Sequence, residues 1–114
     1  MEDLEQKLLE YSHKAFEAGK TWAIAKEQSD ILEKRKDMKF ADIVSRQEGK
    51  SLAERERKAL LTEEWDTYTA NMLTAESERG RAKVKYDDFV RMWDTYRTLI
   101  SSKNAERRFS STGV

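Results

Sequence analysis

Gly49-Lys50-Ser51 has the residue types that hold a nucleotide phosphate in P-loop proteins. Such a loop needs a second glycine five residues before the first, so that successive backbone N–H groups turn toward the phosphates. That position is Val44, and the residues before it have the charged, periodic pattern of a helix, with no buried β-strand. The sequence therefore predicts a junction between helices here, and no nucleotide site.

No other group of residues has the spacing of a catalytic or metal site. His13 is the single histidine and the chain lacks cysteine, so a histidine-based metal site or triad has no partners. The acidic pairs Glu63/Glu64 and Asp87/Asp88 are adjacent in sequence. Neighbouring residues on a helix diverge by about 100°, which suits capping and solvation better than paired acid–base catalysis. We predict a non-enzymatic protein without metal or cofactor, with His13 as an ordinary surface residue.

Composition points to long helices in one small domain. The 114 residues include 22 basic and 22 acidic side chains, no proline and four glycines. Proline and glycine are the residues that most strongly disfavour helix interiors. No apolar run approaches the roughly 20 residues of a membrane span, and the acidic N-terminus does not resemble a signal peptide. The chain is predicted to be soluble and intracellular, with no membrane contact.

The first half of the chain carries a coiled-coil pattern. Apolar residues follow 4-3 spacing at Leu4, Leu8, Tyr11, Ala15, Ala18, Trp22 and Ala25. This spacing predicts one long helix over about residues 2–47, with Gly19 facing solvent. Gly49 is expected to end the helix in the left-handed conformation that glycine adopts easily.

Two further helices are predicted after Gly49. Ser51 and Glu54 have the spacing of a capping box, which predicts a short helix over about 51–61. Unbroken 4-3 spacing then predicts a long helix over about 62–101. Its seam positions are Leu61, Trp65, Tyr68, Met72, Ala75, Arg79, Ala82, Tyr86, Phe89, Trp93, Tyr96 and Ile100. The period is lost after residue 101, so residues 1–102 are predicted as one helical domain and 103–114 as a flexible basic tail.

The two long helices are predicted to form an antiparallel hairpin. A helix with one narrow apolar stripe needs a partner stripe, and the connection between these two is short. Residues 61–78 contain five acids and no base, whereas residues 31–60 contain six acids and nine bases. Antiparallel pairing sets these blocks side by side, which favours that orientation. It also places Arg79 near Ser29 and Glu27 as a polar layer.

Large aromatic side chains on the second long helix indicate self-association. Each ring has about 150–250 Å² to bury, more than a two-helix seam covers. We therefore expect a homo-oligomer whose core seam comprises Trp65, Tyr68, Met72, Tyr86, Phe89, Trp93 and Tyr96.

Dense basic segments leave two interpretations open. Residues 34–39 (KRKDMK) and 79–85 (RGRAKVK) either pair with acidic neighbours inside the hairpin or contact nucleic acid. Basic clusters beside aromatic rings suit a single-strand binder, because the charges follow phosphates and the rings stack on bases. The tail contributes three bases, Lys103, Arg107 and Arg108, near Phe109, against one acid and without an apolar period.

The stretches EGKSLAERERKALLTEEWDTY and VRMWDTYRTLISS carry a resemblance to a known family. Over about residues 41–102 the chain resembles small helical bacteriophage proteins similar to recombination mediators of the UvsY type. The resemblance implies an oligomeric helical protein in the cytoplasm of a bacterial host cell. Such a protein would bind single-stranded DNA and help load a recombinase in place of single-strand-binding protein. The implied DNA contacts are Lys50, Arg55, Arg57 and Lys58 in the connector.

Two functions therefore compete at the level of sequence. The first is a phage-type accessory protein of DNA recombination that touches single-stranded DNA or a recombinase as an oligomer. The second is a protein-binding helical module, such as a phage inhibitor or adaptor of a host or viral enzyme, without nucleic-acid affinity. The zero net charge suits the second, and the connector residues suit the first.

Overall fold

The computed structural model describes the backbone of residues 2–112 and the side chains of residues 3–109. Three α-helices account for nearly all of this part of the chain: α1 (Glu2–Ser45), α2 (Leu52–Leu60) and α3 (Glu63–Thr112). Residues 2–112 contain no β-strand. The predicted all-α fold, a helical hairpin with a short connecting helix, is confirmed.

Contacts divide the chain into two compact units. The corner unit is residues 23–80 and contains the end of α1, all of α2 and the start of α3. The terminal unit is residues 1–22 and 81–114, so its described part combines the start of α1 with the rest of α3. The single domain over residues 1–102 that the sequence predicts stays a prediction.

The corner unit is built on three buried side chains. Ile43 and Val44, at the end of α1, pack with Ala59 of α2, and Phe40 and Trp65 pack against them. Ala59 is small enough to let α2 approach α1 closely, and Ile43 is completely shielded from solvent. Burial of apolar side chains here holds α2 against the end of α1.

Side-chain hydrogen bonds cap the N-termini of α2 and α3 at the expected residues. The Ser51 hydroxyl accepts from the backbone N–H of Glu54, as predicted for a capping box. The Glu54 carboxylate reaches back one residue further than expected and accepts from the N–H of Lys50 at 3.1 Å. The Thr62 hydroxyl accepts from the N–H of Trp65 at 3.2 Å and so caps α3.

Gly49 has a different role from the one predicted. α1 ends at Ser45 rather than near residue 47, and no glycine in the described chain has a positive φ. A Cβ atom at Gly49 would lie 3.0 Å from Cγ of Arg55 and 3.3 Å from Cδ of Glu54. The position therefore requires glycine for close approach of α2, and the left-handed C-cap expected from the sequence is wrong.

Stacked aromatic rings hold the terminal unit together. Tyr11 lies against Phe89 and Tyr96, with ring centroids 6.2 and 5.6 Å apart, and Trp22 stacks on Tyr86 at 5.5 Å. These contacts join residues early in α1 to residues late in α3, so the two segments are antiparallel. Ala18 is the one side chain that is buried among those described in this unit.

Gly19 belongs to the packed face of the terminal unit. A Cβ atom there would lie 3.1 Å from Cε1 of Tyr86. The predicted solvent-facing position is therefore wrong, and the missing side chain is what lets the Tyr86 ring sit against the α1 backbone.

The last helix is longer than the apolar period predicted. α3 continues to Thr112, although its seam was expected to end near residue 101. Side chains 101–109 are exposed on every side of the helix, so packing does not hold this segment. Residues 103–108 include alanine, lysine, arginine and glutamate, which favour helix without tertiary contacts. The predicted basic tail is helical through residue 112, and residues 113–114 lie outside the described chain.

Candidate nucleic-acid interface

Two of the four connector residues proposed to contact DNA lie beside Glu54. Lys50 precedes the α2 cap, and its side chain is exposed without an ion pair to any described residue. Lys58 is engaged internally, because its Nζ donates to the carbonyl of Glu48 at 2.6 Å and lies 3.6 Å from Glu54 Oε1. Lys50 is available to an anionic ligand, whereas Lys58 would first have to leave its own partners.

The other two connector residues lie on different sides of α2. Arg55 and Arg57 are two positions apart, so their side chains diverge by about 200° around the helix. Arg55 is half-buried next to Gly49, and its Nε is shielded from solvent without a hydrogen-bond partner among the described atoms. Arg57 is exposed and forms no ion pair with the described residues. The structure does not bring the four basic residues onto one face.

Lys103 and Arg107 are the pair that the structure brings together in residues 102–112 of α3, which we call the α3 extension. They are four positions apart on an exposed stretch of helix, so they share one face. They also continue the 4-3 spacing of Tyr96 and Ile100. Arg108 lies about 100° further round the helix. The exposed tail cations therefore form a narrow strip rather than a broad basic patch.

The two central basic segments are partly satisfied by internal ion pairs. Lys39 contacts Glu64 at 2.7 Å, Arg79 contacts Asp30 at 2.9 Å, and Lys83 contacts Asp87 on its own helix at 2.9 Å. Arg79 thus meets Asp30 rather than Ser29 or Glu27. No ion pair with a described residue is formed by Lys34, Arg35, Lys36, Arg81 or Lys85.

Glu64 is the most strongly perturbed acid of the corner unit. It accepts from Arg46 Nη2 at 2.8 Å and from Lys39 Nζ at 2.7 Å. Hydrogen bonds from Arg46, and then from Lys39, lower the pKa of Glu64 from 4.5 to about 2. The same contact with Glu64 raises the pKa of Arg46. This cross-helix cluster was visible in the sequence only as an acidic block opposite a basic one.

The seven predicted seam residues are all half-buried rather than fully buried. In the corner unit, Trp65 lies against Phe40 at 4.9 Å, and the hydroxyl of Tyr68 donates to the carbonyl of Leu32. In the terminal unit, Tyr86, Phe89 and Tyr96 form the ring contacts described above. Intermediate exposure is shared by Trp65, Tyr68, Met72, Tyr86, Phe89, Trp93 and Tyr96. A single chain therefore covers these side chains in part.

His13 lies in a small cleft of the terminal unit. The cleft has a volume of about 270 Å³, and Lys14, Glu17, Lys85 and Phe89 are among its lining residues. His13 itself is exposed, as predicted for an ordinary surface residue. The sequence offered no signal for this cleft, because its two walls come from opposite ends of the chain.

Other features bear on which classes of function remain. Comparison with family models, curated proteins and solved structures gave no significant match. Over the described chain, no group of three or more histidine, cysteine, aspartate or glutamate side chains could hold a metal ion. None of the helices in that part has the length and apolar character needed to cross a membrane.

Proposed function

We propose that this chain acts by binding, as an oligomeric accessory protein of phage-type DNA recombination that contacts single-stranded DNA. The observation that carries the DNA contact is the exposed pair Lys103 and Arg107 on one face of the α3 extension. Lys50 and Arg57 of the connector are further cations with exposed side chains and no ion pair to a described residue. The resemblance of residues 41–102 to UvsY-type mediators is what suggests recombination as the setting.

The proposed contact is electrostatic and insensitive to base sequence. Lysine and arginine neutralise phosphates and release the condensed counterions, which gives affinity that falls as salt is added. The aromatic rings of the seam already contact other rings of the same chain. The proposed mechanism therefore does not depend on their stacking on bases. A recombinase or single-strand-binding protein would be the second partner, in the cytoplasm of the bacterial host.

The salt dependence of binding to a fluorescein-labelled oligonucleotide tests this proposal. Two phosphate contacts, from Lys103 and Arg107, predict a slope of about −1.4 in log K against log salt, from about −0.7 per contact on single-stranded DNA. Raising salt from about 50 to 200 mM should then weaken binding about sevenfold. Absence of binding at about 50 mM salt in fluorescence anisotropy would remove DNA from the proposed function.

A pair of charge-neutralising variants locates the contact. The double variant Lys103→Gln/Arg107→Gln should lower the magnitude of the salt slope by about 1.4, because two phosphate contacts are lost. The matched control is Lys83→Gln/Arg97→Gln, which removes the same charge from side chains paired with Asp87 and Asp94. An equal change of slope in both variants would show that net charge, rather than the α3 extension, governs binding.

Exposed leucines of the connector favour a second candidate function. Leu52 and Leu60 are 57% and 56% exposed on α2, and the adjoining Leu61 is 87% exposed. Apolar side chains grouped at one end of a helical hairpin suit a groove on another protein. The alternative is therefore a protein-binding module, a phage inhibitor or adaptor of a host or viral enzyme, without nucleic-acid affinity.

One variant separates the two candidates. Leu60→Gln/Leu61→Gln removes apolar surface and leaves the charge unchanged, so DNA binding should stay within about twofold of the original. Co-purification of a protein from infected cells that this variant abolishes, with no DNA binding by the original chain, would favour the protein-binding module.

A further inference from the structure

The corner unit exposes a row of large apolar side chains on α1, outside the seam that contacts α3. We call Ile24, Ile31 and Met38 the outer stripe. They are 58%, 41% and 71% exposed. Their seven-residue spacing keeps them within about 40° of one line along the helix. Ile31 precedes Leu32, whose carbonyl accepts from Tyr68, and Met38 precedes Lys39, which pairs with Glu64. The outer stripe therefore lies about 100° round the helix from residues that contact α3.

A groove runs beside the outer stripe. It has a volume of about 600 Å³ and lies between α1 and Tyr68 of α3, and its walls include Ile31, Leu32 and Met38. The groove opens on the side where the outer stripe is exposed, so apolar surface continues from the stripe into the groove. One helical partner could cover both.

We infer that the outer stripe is the contact surface of a symmetric dimer, in which a second copy of α1 packs antiparallel with Ile31 at the two-fold axis. This alignment places Ile31 against the partner's Ile31 and Ile24 against the partner's Met38. An isologous contact of this kind uses the same patch on both copies. The partner's Ile24 then reaches the groove beside Met38.

Charges on the two flanks of the outer stripe select this alignment. Glu27 and Lys34 lie on one flank, about 40–60° from Ile31. In the antiparallel alignment about Ile31, Glu27 comes level with the partner's Lys34 to within about 1.5 Å along the axis, and symmetry repeats the pair. On the other flank Arg35 meets the partner's Gln28, which is neutral.

Other alignments bring like charges together. A parallel pair in register sets Lys34 beside the partner's Arg35. An antiparallel pair shifted to match Ile31 with Met38 sets Lys34 beside the partner's Lys34 on one flank, and Arg35 beside the partner's Arg35 on the other. Like charges at facing flank positions disfavour a helix pair, so the apolar and charged positions agree in one alignment.

The dimer is tested on the full chain by sedimentation equilibrium without DNA. Ile31→Glu and Met38→Glu should each raise the dimer dissociation constant at least about 100-fold, because symmetry places the new charge in the contact twice. The control Leu73→Glu changes a residue of the same unit that is 68% exposed and lies outside the outer stripe. It should leave the dimer unchanged. A wild-type monomer at about 100 µM, or a dimer indifferent to both stripe variants, would overturn the inference.

Charge reversal and cross-linking test the alignment itself. Glu27→Lys and Lys34→Glu should each weaken the dimer, and the double variant should restore it. Because the chain has no cysteine, Ile31→Cys should give a covalent dimer on oxidation, whereas Ile24→Cys should not. Efficient cross-linking of Ile24→Cys would instead indicate a parallel pair and overturn this alignment. These measurements contain no DNA, so they fail or succeed independently of the proposed DNA contact.

Discussion

The terminal unit and the corner unit hold antiparallel helices together by different means. In the terminal unit, aromatic rings make the described contacts across the helices: Trp22 stacks on Tyr86, and lysine ammonium groups lie over the rings of Phe89 and Trp22. Ion pairs within the described part of this unit, such as Lys83–Asp87 and Arg97–Asp94, join residues three or four positions apart on one helix. In the corner unit, Glu64 joins Lys39 and Arg46 across the helices, and Arg79 joins Asp30.

This difference shows that helices with the same 4-3 spacing of apolar residues can be held together either by ring contacts or by ion pairs. Ring–ring contacts depend on shape and do not weaken with salt, so the Trp22–Tyr86 and Tyr11–Tyr96 contacts of the terminal unit should resist ionic strength and pH. Exposed ion pairs contribute little singly and are screened by salt, but they discriminate between orientations. The corner unit adds a small apolar core, whereas Ala18 is the only buried side chain among residues 3–22 and 81–109 of the terminal unit.

The largest expected effect tests whether the corner unit depends on its buried core. Ile43→Ala should lower the free energy of unfolding by about 2–5 kcal/mol, because removal of a fully buried side chain leaves a cavity. Urea unfolding followed by circular dichroism measures it. The exposed control Leu73→Ala should stay within about 0.5 kcal/mol of the original chain. Equal losses in the two variants would mean that the core does not dominate this unit.

A double-mutant cycle tests the ring contacts of the terminal unit. Trp22→Leu and Tyr86→Leu, alone and together, should give a coupling free energy of about 0.5–1.5 kcal/mol that stays constant in high salt. Phe16 is 64% exposed and has no ring contact with Tyr86, so Phe16→Leu combined with Tyr86→Leu serves as the additive control. A coupling that disappears at high salt would show that charge also sets the register there.

Two glycine substitutions test where the packing of the helices leaves room for a Cβ atom. Gly80→Ala should stabilise the chain by about 0.5–1 kcal/mol, because a Cβ atom there meets nothing within 4 Å and alanine favours helix. Gly19→Ala should lose that gain and become destabilising, since its Cβ would lie 3.1 Å from the Tyr86 ring, which Trp22 confines by stacking. Thermal unfolding compares them. Similar stabilisation by both would show that the ring moves freely.

The smallest expected effect concerns the charges of the corner unit. The depressed pKa of Glu64, about 2 against an ordinary 4.5, means that its contribution to stability is full above pH 4.5. It is lost as pH falls from 4.5 toward 2. The difference in melting temperature between wild type and Glu64→Gln should therefore shrink over this range, and also in high salt.

Glu63 provides the matched control for that measurement. It lies in the same first turn of α3 but forms no ion pair with the described residues. Glu63→Gln should therefore show a smaller difference from wild type at neutral pH. If both variants follow the same pH profile, the helix terminus rather than the Arg46 and Lys39 contacts explains the dependence.

Most of the fold could be predicted from the sequence because the seam obeys one period. Trp65, Tyr86 and Tyr96 lie where the 4-3 spacing placed them, half-buried at helical contacts. Gly49 was misread because sequence does not distinguish a glycine needed for φ from one needed for space. Gly19 was misread because it lies off the 4-3 apolar positions, which predicted exposure to solvent. The end of α3 was placed too early because the loss of an apolar period removes packing, while intrinsic propensity still favours helix.

The candidate site could be predicted far less well. The resemblance marked Lys50, Arg55, Arg57 and Lys58 as one group. The direction in which each side chain points depends on where α2 begins and on what packs beside it. Lys58 is occupied by the carbonyl of Glu48, a backbone atom that no side-chain pattern reveals. The partners of Glu64 lie 25 and 18 residues away in sequence, so their convergence required the folded chain.

The positions of the buried side chains along the chain predict the order in which its contacts form during folding. Ile43 meets Ala59 across 16 intervening steps of the chain, whereas Tyr11 meets Tyr96 across 85. Closing a short loop costs less entropy than closing a long one. The contact between Ile43 and Ala59 is also the most completely shielded from water. We expect the contacts between the end of α1 and α2 to form first, and the ring contacts of the terminal unit to form later. Amide protons near Ile43 should then be the slowest to exchange with solvent deuterium.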